Sequence, residues 1–233
     1  MAKQTQTPQA QDEAQIMLNK SEAFVTKYGK QLIAAVVVII VAVLGFIAFQ
    51  NFSASKAEEA STALAPCQQY FMEQKFEEAL NGDKKSCKGF INVAKEYSST
   101  KAGNLAQLYA GLCCAQLQKW EDAKKYLENF DPEDDKMVSP AALNALATAY
   151  ANTKDLDKAV DTYKKAAALA DSRMDTGVNN SESPTFLLAA AEILMSQNKT
   201  EDALAIYKEI KTKYVNSTAS QEIDKYIERA SQK

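Results

Sequence analysis

Four cysteines and no histidine bound the chemistry open to this chain of 233 residues. Imidazole is the commonest general base and the commonest metal ligand, and it is missing. The cysteines are Cys67, Cys87, Cys113 and Cys114, and no two have the C-x-x-C spacing of a redox or zinc pair. Cys113 and Cys114 adjoin inside an apolar helical pattern. Adjacent cysteines bridge poorly, so these two read as small core residues. Cys67 and Cys87 can pair if their helices pack together, and their spacing alone leaves that open. Seven glycines, none clustered, supply no phosphate-cradling loop, and no G-x-S-x-G turn occurs. The expectation is a chain without catalytic or metal-binding residues, without a cofactor and without a small-molecule substrate. A net charge of −3 with no basic patch also argues against nucleic acid.

What such residues must be positioned by is set by one stretch, Leu32 to Phe49, which carries no charge and is broken only by Gly45. At ~1.5 Å per residue its helix is about 27 Å long, close to the hydrocarbon thickness of a bilayer. Length and uniform apolarity favour a transmembrane helix over a buried strand or core helix. Lys20, Lys27 and Lys30 precede it, and only Lys56 follows within twenty residues. The positive-inside bias then puts the N-terminus in the cytoplasm and the bulk of the chain across the membrane. The run before the span is too long for an ordinary signal peptide, so an uncleaved anchor is expected, although Ser53-Ala54-Ser55 resembles a cleavage site. The expected division is a cytoplasmic tail over 1–31, an anchor over 32–52 and a soluble domain over 53–233. The first 31 residues hold four lysines and three acids, which leaves the rest of the chain at −4.

Residues 1–12 are polar and aperiodic, and predict no order. Ala14, Met17, Leu18, Ser21, Phe24, Val25 and Tyr28 share one helical face. Two readings stand for it: a helix at the membrane surface or against a partner, and a helical extension of the anchor. Beyond the span the chain is helix-permissive until Pro66, where a kink is expected. Gln68 to Leu80 predicts a helix ending at the turn signal Asn81-Gly82-Asp83. Phe90, Ile91, Ala94 and Tyr97 form another apolar stripe.

The chain then repeats itself. Ala123, Ala159 and Ala203 each follow a Glu-Asp or Asp-Lys pair, and each is followed four residues later by Leu127, Tyr163 or Tyr207. Twelve residues earlier lie Gly111, Ala147 and Ala191, and three further on come Cys114, Tyr150 and Leu194. Phe76 to Ala79 is a weaker earlier copy. Two antiparallel helices per ~34 residues is the tetratricopeptide pattern. The small residues lie at 79, 123, 159 and 203, spacings of 44, 36 and 44, so two units carry insertions, over 81–88 and 171–183. Ser139-Pro140 and Ser183-Pro184 read as helix starts with a serine cap. A polar helix from Thr218 to Ala230 reads as an end cap. The predicted fold class is all-α: one transmembrane helix, then an α-solenoid of about four helix pairs with a capping helix.

In such solenoids the first helix of each pair lines the concave face. Counting from the matched positions, the groove candidates are Leu105, Leu108 and Leu112, then Asn144 and Thr148, then Leu188, Glu192 and Met195. None is Lys or Arg, so a partner held by its terminal carboxylate is not expected. An apolar helix or extended segment suits the set. The alternative is that several of the leucines pack against neighbouring repeats, and the counting leaves it open.

The soluble part resembles tetratricopeptide-repeat proteins. The layout, with SEAFVTKYGKQL before the anchor and FEEALNGD, TKAGNLAQLYAGLCCAQLQKWEDAKKYLENF and EDALAIYKEIKTKYVNS after it, is similar to the YfgM-type ancillary subunits of the bacterial Sec translocon, in a Bacteroidetes-like form. The resemblance implies a single-pass inner-membrane protein facing the periplasm. It implies Sec translocon subunits and a PpiD-type periplasmic chaperone as partners, and secretory proteins as clients. The Lys84-Lys85-Ser86-Cys87 insertion departs from that type, so the resemblance supplies no disulfide. A second expectation, from another class, is a structural subunit of a different cell-envelope or secretion assembly.

Overall fold

The computed structural model describes residues 8–83, 85–132 and 138–232. Among them are ten helices and no strand: α1 Pro8–Met72, α2 Phe76–Asn81, α3 Phe90–Glu96, α4 Lys101–Gln116, α5 Trp120–Glu128, α6 Val138–Asn152, α7 Leu156–Ser172, α8 Ser183–Ser196, α9 Thr200–Lys213 and α10 Thr218–Ser231. The chain divides into two compact units, Met1–Ser55 and Lys56–Lys233.

In the first unit the apolar side chains from Ile33 to Phe52 are exposed rather than packed on the protein. Thr26–Met72 is long and apolar enough to cross a membrane. Helix begins at Pro8, so the expectation of no order over 1–12 is corrected from that residue on, and residues 1–7 lie outside the described residues. Proline suits a first helical position because its missing N–H has no partner there in any case. Tyr28 is exposed. The other side chains of the proposed face, Ala14 to Val25, lie outside the described residues.

The second unit is a helical solenoid. Its first pair is the end of α1 with α2, followed by α4 with α5, α6 with α7, and α8 with α9. Pro66 lies inside α1, and the helix continues to Met72 rather than stopping there. Leu64 and Cys67 on either side of it are buried, and that packing offsets the single hydrogen bond a proline forfeits. The helix expected over Gln68 to Leu80 is broken at Gln74, which has φ of 60°. The same break recurs at Gln118, Lys154 and Asn198, with φ of 60°, 68° and 59°. Each residue lies five positions before the small residue of its unit. In every case the next residue's N–H reaches back to the carbonyl five residues earlier: Lys75 to Tyr70 at 2.9 Å, Lys119 to Cys114 at 2.8 Å, Asp155 to Tyr150 at 2.9 Å and Lys199 to Leu194 at 2.9 Å. That is the Schellman closure of a helix end, made four times without glycine.

Ala79, Ala123, Ala159 and Ala203 are fully buried, as are Ala147 and Ala191 opposite them. A Cβ on Gly111 would lie 2.5 Å from Leu127 Cγ, so the paired helices touch at these positions. Two hydrophobic clusters run along the solenoid, one from Ala60 to Ala149 and one from Ala147 to Ala230. Helix α6 belongs to both, with Ala142 and Ala149 in the first and Ala147 in the second.

The second helix of the first pair is split. Tyr214 follows Ala203 by 11 residues, while Tyr97 follows Ala79 by 18. Both tyrosines precede the same cap. Thr100 Oγ1 donates to the Tyr97 carbonyl at 2.8 Å and accepts from Gly103 N–H at 3.0 Å. Ser217 Oγ donates to the Tyr214 carbonyl at 2.7 Å and accepts from Ser220 N–H at 3.1 Å. Helices α2 and α3 are therefore one helix interrupted by seven extra residues. Gly82 and Gly89, with φ of 90° and 89°, form the neck of that insertion. A Cβ on Gly89 would come within 2.5 Å of the Asn81 carbonyl carbon, so only glycine lets the two strands of the neck meet.

Candidate protein-binding groove

The predicted groove residues do not form one site. Leu105, Leu108 and Leu112 do come together on α4. With Tyr109 and with Val138, Ala141 and Ala142 of α6 they line a recess of about 250 Å³. Leu105 and Val138 also line a second recess of about 340 Å³, whose other walls are Ser61 and Leu64 of α1, Lys101, Ala102 and Asn104 of α4, Phe130 and Ser139. The two recesses share residues and make one apolar trough along α1, α4 and α6. Leu108 is only 6% exposed, so it serves the core and the trough floor together.

Asn144 and Thr148 of α6 are half-buried, and Thr148 is tied down. Thr148 Oγ1 lies 2.9 Å from the Tyr163 hydroxyl and donates to the Asn144 carbonyl at 2.9 Å. Glu192 occupies the same register on α8, and its Oε1 accepts from the Tyr207 hydroxyl at 3.1 Å. Its Oε2 accepts from Arg229 of α10 at 3.4 Å. Burial, then the Glu192 carboxylate, raises the Tyr207 hydroxyl well above its ordinary pKa. Leu188 packs against the second cluster. Met195 is 4% exposed and shares that cluster with Ile223 and Ala230 of α10. The C-terminal helix contributes to the core around it. Thr148 and Glu192 are therefore engaged by the chain's own side chains, and the leucines of α4 line the open part.

Sequence reasoning missed Leu64, Phe130, Val138 and Ala141 as trough walls. Ala141 precedes Ala147 by the same six residues that separate Leu105 from Gly111, so the count that found one could have found the other. Phe130 follows Ala123 by the seven residues that separate Ile210 from Ala203, and Val138 precedes Ala147 by the nine that separate Ala102 from Gly111, so the same count could have reached both.

Each insertion is organised by an aspartate. Asp83 Oδ2 accepts from the Tyr70 hydroxyl at 2.6 Å, and its Oδ1 accepts from the backbone N–H of Lys85, Ser86 and Cys87 at 3.0, 2.9 and 2.9 Å. The tyrosine, then these amides, hold its carboxyl well below the usual carboxylate range. Cys87, at the end of that loop, is bonded to Cys67 of α1 with Cα atoms 5.0 Å apart. The Gly89 N–H points at both sulfurs, at 3.2 and 3.3 Å. Cys67 stands twelve residues before Ala79, at the small position filled elsewhere by Gly111, Ala147 and Ala191.

Asp171 closes α7 and does the same for the second insertion. Its Oδ1 accepts from the Asn179 N–H at 2.8 Å and the Ser183 hydroxyl at 2.7 Å. Its Oδ2 accepts from Lys213 Nζ and the Tyr214 hydroxyl, both at 2.6 Å. Burial opposes its ionisation, but Lys213, Tyr214, Asn179 and Ser183 together hold its carboxyl below the ordinary value. Tyr214 is pushed up to about 12 by burial and by the Asp171 carboxylate. Ser183 was expected to cap α8. Its hydroxyl instead donates to Asp171 and to the Ala167 carbonyl at 2.9 Å, because the buried carboxylate competes for it. Ser139 lies inside α6, which starts at Val138.

Cys113 and Cys114 are buried free thiols, pushed up to about 12 and about 11 chiefly by that burial. Neither forms a reactive thiolate at neutral pH.

An all-helical solenoid with an apolar trough on its first helices is an architecture typical of protein-interaction scaffolds. The tetratricopeptide repeat-like domain family matches residues 22–229, and the chain belongs to it. Among solved structures it is similar to a protein of Podosopora anserina described as a kinesin light chain with nearly identical tetratricopeptide-like repeats. The match has 12% identity and a TM-score of 0.55, and covers 76% of this chain and 87% of that one. A Q17M form of that protein matches with 14% identity and a TM-score of 0.54, covering 76% and 86%. No curated protein matches the chain. The structural likeness concerns the fold alone.

Proposed function

We propose that this protein is a membrane-anchored scaffold that holds an apolar segment of a partner protein, and that it has no enzymatic activity of its own. The observation that carries the reading is the trough between α1, α4 and α6, mostly apolar and open, while Thr148 and Glu192 further along are bonded within the chain. Leucine-lined surfaces accommodate different apolar segments rather than one rigid fit. The anchor is the span 32–52, with the tail 1–31 in the cytoplasm and 53–233 in the bacterial periplasm. The lysine distribution supports that orientation, and the Cys67–Cys87 bond supports an oxidising compartment.

Within that setting the protein acts as an ancillary subunit of the Sec translocon, an adaptor or chaperone beside a PpiD-type partner for emerging secretory proteins. This rests on the layout that resembles YfgM-type subunits. The test is affinity purification of the intact protein from mild detergent, followed by mass spectrometry. Translocon subunits should be recovered with it, and Leu105→Asp should lose the apolar client while keeping the anchor. Stoichiometric recovery of an outer-membrane or peptidoglycan-bound complex instead, with no translocon subunit, would replace this reading with that of a structural envelope subunit.

A further inference from the structure

We propose that the Cys67–Cys87 disulfide assembles the trough, so that the protein cannot bind until its solenoid has been oxidised. The inference rests on the trough being the binding site, and it starts from a defect in the first helix pair. The second helix of that pair, α2, has 6 residues, against 9, 17 and 14 for α5, α7 and α9. It stops at the insertion, and α3 takes up its register only after the loop. A helix that short has little surface with which to hold its partner.

The partner is the end of α1, which contributes Ser61 and Leu64 to the trough wall. Leu64 lies one turn before Cys67 on the same helix. Phe71 of α1 packs on Phe90 of α3 and Tyr109 of α4, and the bond ties the same helix to the insertion that interrupts its partner, one turn from the wall it supports. Its other end is pinned independently of it. Asp83 gathers the loop amides, Gly82 and Gly89 pinch the neck, and Cys87 is held where Cys67 can reach it. Both half-cystines are buried. Once formed, the bond is shielded from solvent, and it behaves as a condition of assembly rather than a rapid switch.

The chemistry balances simply. A dithiol reductant breaks the one S–S bond, leaves two cysteine thiols, and is itself oxidised to a disulfide, with two electrons and two protons transferred. The reverse step, with a protein disulfide as oxidant, builds the trough. A reduced chain keeps its second to fourth pairs, whose second helices are longer and uninterrupted. It lacks a fixed α1 wall, so it does not capture apolar segments on the reducing side of a membrane.

The test is hydrogen exchange on the full chain in detergent micelles, in three forms: oxidised, reduced with tris(2-carboxyethyl)phosphine, and Cys67→Ala/Cys87→Ala. Mass spectrometry confirms the thiol state of each. Exchange over residues 61–72 and 82–89 should rise at least tenfold in the reduced and variant forms. Residues 105–112 should follow, while 156–172 and 200–213 stay unchanged. Unchanged exchange over 61–72 in fully reduced protein overturns the proposal. An equal rise in all four pairs also overturns it, because the bond would then be a global staple. No partner enters the measurement, so it can fail while capture from detergent succeeds, and the converse.

Discussion

Asp171→Ala should loosen the C-terminal half of the solenoid and leave the N-terminal half intact. The carboxylate is 6% exposed and joins four elements: the end of α7, the loop at Asn179, the start of α8 at Ser183, and the end of α9 at Lys213 and Tyr214. Its removal strands two buried donors, the Tyr214 hydroxyl and the Asn179 N–H, at ~1–3 kcal/mol each. Ser183 keeps its bond to the Ala167 carbonyl. The Lys213 side chain is 39% exposed and returns to water, so its share is discounted to ~0–1 kcal/mol. The sum is about 4 kcal/mol, within the range for breaking a buried pair. At 1.4 kcal/mol per decade that is on the order of a thousandfold in the local opening constant. In a repeat protein such a loss falls on neighbouring units first. Hydrogen exchange should therefore accelerate by that order over α8 and α9, and much less over α4 and α5. An increase confined to the loop 173–182 would refute the clamp. The pH dependence has a defined sign. A carboxyl whose folded pKa is depressed contributes stability that is complete above its unfolded pKa of ~3.9 and is lost as pH falls through the folded value. The stability difference between parent and variant should therefore narrow as pH falls below the ordinary carboxylate range.

Other substitutions test separate parts of the argument. Ala159→Leu places a large side chain where two helices touch and should cost ~1–3 kcal/mol; an unchanged melting temperature would mean the repeat register is wrong. Lys154→Gly should stabilise by about 0.5–1 kcal/mol, since the left-handed conformation strains an L-residue more than glycine's extra chain entropy costs; chemical denaturation reads it, and a loss of stability would count against the strain. Gly89→Ala should prevent the insertion from closing and leave Cys67 and Cys87 titratable by a thiol reagent in the folded protein. A single cysteine at Thr5 in a cysteine-free variant should be shielded from an impermeant reagent in intact cells, while one at Gln232 should label once the outer membrane is opened; the reverse pattern would overturn the orientation.

The helix pairs were legible because their signal is redundant. Ala79, Ala123, Ala159 and Ala203 each sit twelve residues after another small residue and four before a large one in three of the four units, and no other fold asks for that. The inter-helix turns were not legible. Gln74, Gln118 and Lys154 are left-handed without being glycine, so the break between α1 and α2 carried no residue-type mark, and Gln68 to Leu80 read as continuous. The groove was half legible. Register alone brought Leu105, Leu108 and Leu112 to one face, but it could not show that α10 would share a core with Met195. Asp83 escaped because its turn reads only as the end of a helix, and Asp171 because two of its donors lie far away in sequence. Tyr214 is 43 residues from Asp171, and a buried carboxylate is recognised only by what surrounds it.

The four left-handed turns also bear on how the chain acquires its shape. Each one closes a helix pair through contacts between residues only a few positions apart, so loop-closure entropy is small and contact order is low. A pair can therefore condense as soon as its own residues are available, without waiting for the next. Cys67 and Cys87 are 20 residues apart, so even the covalent step needs only a short stretch of chain. For a domain whose residues cross a narrow opening in chain order behind a retained anchor, such locality removes the interval in which long apolar helices wait unpaired, which is when aggregation competes with folding.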